Sequence, residues 1–173
     1  MTTGPQLDKQ TIELTVNGNP LRVETDADAW VDDDPRPLRT VFLRDDSQSI
    51  LAKNNAEDIS FEYGLNPYRG CEHGCIYCYA RPSHGYLNLS PGLDFETRLI
   101  FKPEVAELLE KELRKPGYVV RPMALGTNTD PYQPIEGHYK LTRRSLEVLA
   151  RAKTPASIVT KGPMIVRDTD VIL

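Results

Sequence analysis

A chain of 173 residues has room for one ordinary domain and an arm, and at this length about two-thirds of the unfolded surface can be buried. Its 39% hydrophobic and 27% charged residues exclude a disordered or membrane-embedded class, and no apolar run approaches the roughly 20 residues of a spanning helix. The net charge of −4 disfavours a primary role in gripping nucleic acid, because Arg143-Arg144 and the pair Arg36 and Arg39 form no basic stripe.

The N-terminus is polar and has no charged-then-apolar leader pattern, so a cytoplasmic location is expected. Residues 1–40 read as an arm and linker. Ile12, Leu14 and Val16 alternate with polar residues, and Leu21 and Val23 resume the alternation after Asn17-Gly18-Asn19-Pro20, a hairpin signal. A lone hairpin is marginal in water, so the same residues also fit a loosely ordered tail. Asp26 to Arg39, with five Asp and two Pro, has linker composition.

The domain proper is expected over residues 41–173. A strand is predicted over Ile59 to Leu65, followed by a turn at Asn66-Pro67-Tyr68-Arg69-Gly70. Phe95 to Phe101 reads as extended. Pro103 suits a first helical turn, and Val105, Leu108, Leu109 and Leu113 then share a helical face that ends at Pro116-Gly117. Val119 to Leu125 is a predicted strand interrupted by Pro122, and it opens into the polar loop Gly126 to Pro134. A second amphipathic helix spans Leu141 to Ala152, a short strand follows at Ala156 to Thr160, and a last helix begins near Val166.

This alternation predicts an α/β fold with about three βα units, a parallel sheet, and helices placed on one face by right-handed crossovers. Three units leave a parallel edge bare, and the final Val171-Ile172-Leu173 lacks a cap. The chain is therefore expected to be part of a larger domain.

All three cysteines fall within eight residues, in Gly70-Cys71-Glu72-His73-Gly74-Cys75-Ile76-Tyr77-Cys78-Tyr79. An odd, crowded set makes no disulfide framework, and clustered thiols in a reducing compartment bind metal. Three thiolates on one loop can take three corners of an iron–sulfur cube. No fourth cysteine exists, which leaves the open position that catalytic metals need. A second site is compatible with the same residues: with His73 or His84 they form a Cys3His zinc set, closed and structural.

Cys71, Cys75 and Cys78, with an aromatic residue before the last, resemble the signature loop of the radical S-adenosylmethionine (SAM) superfamily. The runs Asn66-Pro67-Tyr68-Arg69-Gly70-Cys71, Tyr77-Cys78-Tyr79-Ala80-Arg81, Thr129-Asp130-Pro131-Tyr132-Gln133-Pro134 and Thr160-Lys161 resemble the branch related to spore photoproduct lyase, whose members are often labelled DNA-repair photolyase-like. The resemblance covers roughly residues 41 to 173.

That resemblance implies a partial (βα) barrel, the first half of six units. It also implies a four-iron, four-sulfur cluster on Cys71, Cys75 and Cys78, with SAM at the open iron. Reductive cleavage of SAM would yield a 5′-deoxyadenosyl radical for hydrogen abstraction from a substrate. Tyr77 would lie against the adenine. Gly126, Thr127, Asn128 and Asp130 occupy the position that binds the methionine amino group, with Asp130 first among them and Asn128 next, because an ammonium favours a carboxylate or carbonyl. The usual Gly-Gly-Glu run is absent there, so this assignment rests on position. Lys161, at a strand end, would pair with the methionine carboxylate. An electron donor such as flavodoxin or ferredoxin is implied, as is little turnover from this chain alone. The branch suggests nucleic-acid repair, which the acidic balance does not support.

Overall fold

The computed structural model describes residues 9–16, 19–26, 40–46, 48–56 and 59–173, the first two stretches by backbone alone. The chain divides into two units, 1–38 and 39–173. In the first, β1 (Lys9–Val16) and β2 (Asn19–Asp26) pair antiparallel from Lys9↔Asp26 to Val16↔Asn19. Pro20 stands opposite Thr15, which a two-stranded ribbon tolerates because each strand is an edge. The expected turn residues 17 and 18, and all but the first residue of the expected linker, lie outside the described residues.

The second unit is mixed α/β. Its strands are β3 (Val41–Arg44), β4 (Leu51–Lys53), β5 (Tyr63–Leu65), β6 (Tyr68–Arg69), β7 (Arg98–Phe101), β8 (Met123–Leu125) and β9 (Ala156–Ile158). Its helices are α1 (Leu93–Thr97), α2 (Val105–Leu113), α3 (Glu136–Tyr139), α4 (Leu141–Arg151) and α5 (Thr169–Ile172). Two open sheets result, ordered β3-β7-β6 and β4-β5-β8-β9, and among the described residues no closed barrel forms. β5, β8 and β9 run parallel, while β4 joins as an antiparallel edge. In the other sheet β3 is parallel and β6 antiparallel to β7.

Apolar residues at helical spacing close the core. Val105 and Leu109 of α2, with Leu141, Leu146, Val148 and Leu149 of α4, join Leu65, Leu99, Met123 and Leu125 of the strands. Each fully buried leucine of this set contributes roughly 1.5–3 kcal/mol over an exposed one. Both long helices match the sequence pattern closely.

The strands are shorter than the sequence suggests, and one lies where a turn was expected. Of the predicted strand Ile59–Leu65 only Tyr63–Leu65 is strand; Ile59 is 44% exposed. Past Pro67 the chain crosses into the other sheet as β6, where Lys102 N–H donates to Pro67 O at 3.0 Å. The predicted extended run Phe95–Phe101 is helical up to Thr97. Local bonds decide this: Asp94 accepts from Ser90 N–H, and Thr97 Oγ1 donates to Leu93 O. Val119 and Val120 are exposed and β8 begins only after Pro122, which has no N–H for the ladder. The final helix is a 3-10 turn over Pro163–Asp168 followed by α5. No helix among the described residues is long and apolar enough to cross a membrane.

Candidate functional site

Because β5, β8 and β9 are parallel, the loops leaving their carboxyl ends gather on one side, the usual place for a site in such sheets. The cysteine loop follows β6 on this side. Gly70 starts it at φ +79°, and an added Cβ there would meet Phe95 O at 2.8 Å and both His84 Cε1 and Leu99 Cδ2 at 2.9 Å. Only glycine fits. Cys71 follows, buried, its N–H donating to Phe95 O at 2.8 Å. Gln133, fully buried in the loop after β8, donates from Nε2 to Gly70 O at 3.0 Å and accepts Glu72 N–H at Oε1, 3.1 Å away. The backbone is therefore bracketed on both sides of Cys71.

The other end of the loop is looser. Arg81 donates Nε and Nη2 to Cys75 O, both at 3.1 Å, donates Nη1 to Gly92 O, and pairs with Glu96. Cys75 and Cys78 are half-buried, whereas Ile76 and Tyr77 are 94% and 81% exposed. All three thiols are free. Burial pushes the Cys71 thiol above its ordinary range.

The facing loop follows β8. Gly126, at φ +86°, lets the backbone pass so close to Val159 that a Cβ would lie 2.0 Å from the Val159 carbonyl oxygen. Tyr79 OH donates to Thr127 O, tying the cysteine loop to this one. Thr129 Oγ1 donates to Tyr68 O at 2.9 Å. Asp130 Oδ1 accepts from Tyr132 N–H and Thr160 Oγ1, and its Oδ2 accepts Lys161 N–H at 2.9 Å. His73 Nε2 is 3.4 Å from the same Oδ2, within ion-pair reach but without a hydrogen bond. Lys161 Nζ donates to Cys75 Sγ at 2.7 Å, a contact that raises the lysine's pKa.

The sequence-predicted residues thus fall into three places. Gly126, Thr127 and Asn128 line a cavity of about 910 Å³, together with Asn66 and Tyr79. Asp130 and Lys161 face the cysteines instead, and both Asp130 oxygens are engaged within the chain, which makes it a brace between the loops after β8 and β9. Tyr77 projects into solvent. Of the two candidate histidines, His84 is fully buried with Nε2 on Arg98 O, while His73, within the loop, lies near Asp130.

Sequence reasoning missed Gln133 and Arg81 as holders of the loop, although both stand inside motifs it singled out. It also missed the base beneath them. Tyr68 OH donates to Glu136 Oε2 at 2.5 Å, Arg167 pairs with Glu136 and Asp168, and Arg143 pairs with Asp168. Glu136 and Asp168 are fully buried. Their burial has no signature in the residues themselves.

The donor set bears on which metal group these residues could hold. Three free thiols on one loop suit a group that takes one thiolate at each of several metal atoms. Among the described residues no three His, Cys, Asp or Glu side chains form a group that could hold a metal ion. Of the eight buried side-chain polar atoms without a hydrogen-bond partner among the described residues, two belong to Glu72 and His73 of the loop and three to Asn66, Ser83 and His84 of the segments that flank it in sequence. Such atoms call for an explanation, and a bound group is one.

No family model matches the chain, and no solved structure matches it. Uncharacterized proteins of Mycobacterium bovis and Mycobacterium tuberculosis are 49% identical to it over 118 residues, 68% of this chain and 35% of theirs. An uncharacterized protein of Methanocaldococcus jannaschii is 28% identical over 110 residues, 64% of this chain and 39% of the relative. The chain matches little more than a third of the length of these curated relatives.

Proposed function

We propose that this chain carries the cluster-binding part of a radical SAM enzyme, with Cys71, Cys75 and Cys78 holding a four-iron, four-sulfur cluster and its two sheets forming part of a (βα) barrel of that type. One observation carries the reading. The chain's entire cysteine complement stands on one loop, which leaves the antiparallel β6 and meets the loops after the parallel strands β8 and β9, with no fourth thiol in the chain to close the set. When bound, such a cluster supplies one electron that cleaves SAM to methionine and a 5′-deoxyadenosyl radical, which abstracts hydrogen from substrate. The protein's own work is to hold the thiols and orient SAM. Gly126 lets the backbone turn tightly against Val159, and Thr127 and Asn128 beside it line the cavity. Asn128 becomes the first candidate for the methionine ammonium, because Asp130 is engaged in bracing. Lys161, whose Nζ donates to Cys75 Sγ, is the candidate partner for a carboxylate arriving at the cluster.

The test is anaerobic reconstitution with iron and sulfide, then electron paramagnetic resonance of the reduced protein with and without SAM. A cubane signal that changes on adding SAM supports the reading. A second reading, a Cys3His zinc module, draws on His73, whose buried Nε2 has no hydrogen-bond partner beside the cysteines. A colourless preparation with one zinc per chain, completed by an imidazole, would establish it and end the first.

A further inference from the structure

We infer that Gln133 is a positioning residue for the cysteine set: its amide, reaching from the loop after β8, fixes the backbone on either side of Cys71 and so sets where that thiol is presented. The inference deepens the cluster reading and rests on it for its purpose, but not for its geometry. Gln133 is 0% exposed, and its amide is used once as donor, to Gly70 O, and once as acceptor, from Glu72 N–H. One planar group thus pairs with the peptides flanking Cys71, much as a neighbouring strand would, from 61 to 63 residues away. Only an amide side chain supplies donor and acceptor together at that reach. A glutamate would set a carboxylate oxygen against the Gly70 carbonyl, and a leucine would leave both buried backbone groups unpaired. Thr129, four residues earlier, ties the same segment at Tyr68 O, so the loop after β8 presents polar groups to the cavity and aligns the first cysteine at once.

The experiment uses the full, cluster-free chain. Alkylation of each cysteine by iodoacetamide is followed residue by residue by peptide mass spectrometry, for wild type, Gln133→Leu, Gln133→Glu and Leu149→Ala. The last is destabilised in α4, away from the loop. Loss of the paired amide is expected to speed Cys71 about tenfold in Gln133→Leu and severalfold in Gln133→Glu, with Cys78 unchanged. Leu149→Ala, at matched loss of melting temperature, should move Cys71 much less. An unaltered Cys71 rate in both Gln133 variants overturns the inference. So does parallel acceleration of all three cysteines in step with the melting temperature. After reconstitution, the reduced-cluster resonance of Gln133→Glu should differ from wild type, and an identical spectrum counts against positioning. A wild-type chain that takes up no iron and sulfide refutes the cluster reading, while the alkylation rates still decide the role of Gln133.

Discussion

Cys71 and Cys75 lie four residues apart on one loop, yet the protein holds them in opposite ways. Around Cys71 the backbone is fixed by Phe95 O, by the Gln133 amide and by a glycine that tolerates no side chain. Around Cys75 the carbonyl takes Arg81 and the Cys78 N–H at 3.2 Å, one lysine reaches the sulfur, and the next two side chains stand in solvent. The difference teaches that folding builds one corner of the thiol set in advance and leaves two adjustable. Under the proposed function, iron and sulfide would complete the loop's shape, because a metal group can order ligands that the apo chain leaves loose.

Breaking the anchored end should have the largest effect. Gly70→Ala meets three neighbours under 3.0 Å, and in the facing loop Gly126→Ala forces a Cβ to 2.0 Å from a backbone oxygen, both at positive φ. Each is expected to cost about 3–5 kcal/mol in urea unfolding, from overpacking added to backbone strain. Gly117→Ala is the control. It shares φ +79° with Gly70 but meets nothing within 4 Å, so only about 1 kcal/mol of strain should appear. Equal losses at Gly70 and Gly117 would remove the claim that close contacts define the anchored end.

The base beneath that end responds to acid. Burial pushes the Asp168 carboxyl up, but hydrogen bonds from Arg167 and Arg143 outweigh it and hold the group below its ordinary value. A folded value below the unfolded one means stability that is present above the unfolded carboxylate pKa of about 3.9 and lost as pH falls through the folded value. Asp168→Asn should flatten that acid limb and cost about 1–3 kcal/mol at neutral pH, less than a fully buried pair because both arginines are partly exposed. An unchanged acid limb in urea titrations from pH 7 to 3 would show that the pair does not anchor the base.

The two ends also differ in what the residues disclosed. Helices α2 and α4 were legible because Val105, Leu109, Leu141, Ser145 and Leu149 repeat at helical spacing against a core, a pattern that depends only on local periodicity. The cysteine spacing was equally plain. The division into two sheets was not, since Pro67 carries the chain from one to the other through contacts with β7 that no local pattern encodes. Gln133 was hidden for the same reason: its partners, Gly70 and Glu72, are more than sixty residues away. For Asp130 the sequence offers only that a carboxylate suits an ammonium; the backbone and hydroxyl donors its oxygens accept from come from residues up to 31 positions away and appear only in the fold.

At the adjustable end the effects should be smaller and local. Arg81→Lys removes the forked grip on Cys75 O while keeping the charge, so about 1 kcal/mol of stability is expected to go. Alkylation of Cys75 should rise severalfold with Cys71 unaffected. Acceleration at Cys71 instead would mean that the two ends are one unit and the comparison fails.

Tyr77 gives the least effect on stability and the sharpest separation of folding from function. At 81% exposure its ring buries little, so Tyr77→Ala should shift unfolding by no more than about 0.5 kcal/mol. The proposed function gives the ring a different task, lying against the adenine of SAM, where an aromatic contact is worth about 0.5–1.5 kcal/mol. SAM should then bind the reconstituted variant roughly 2- to 12-fold more weakly, read as the concentration at which the reduced-cluster resonance changes. Because the ring is exposed, its removal is expected to leave the thiols, Gln133 and Arg81 in place. A variant with wild-type SAM dependence would therefore reassign Tyr77 to some other surface contact, without disturbing the case for the cluster itself.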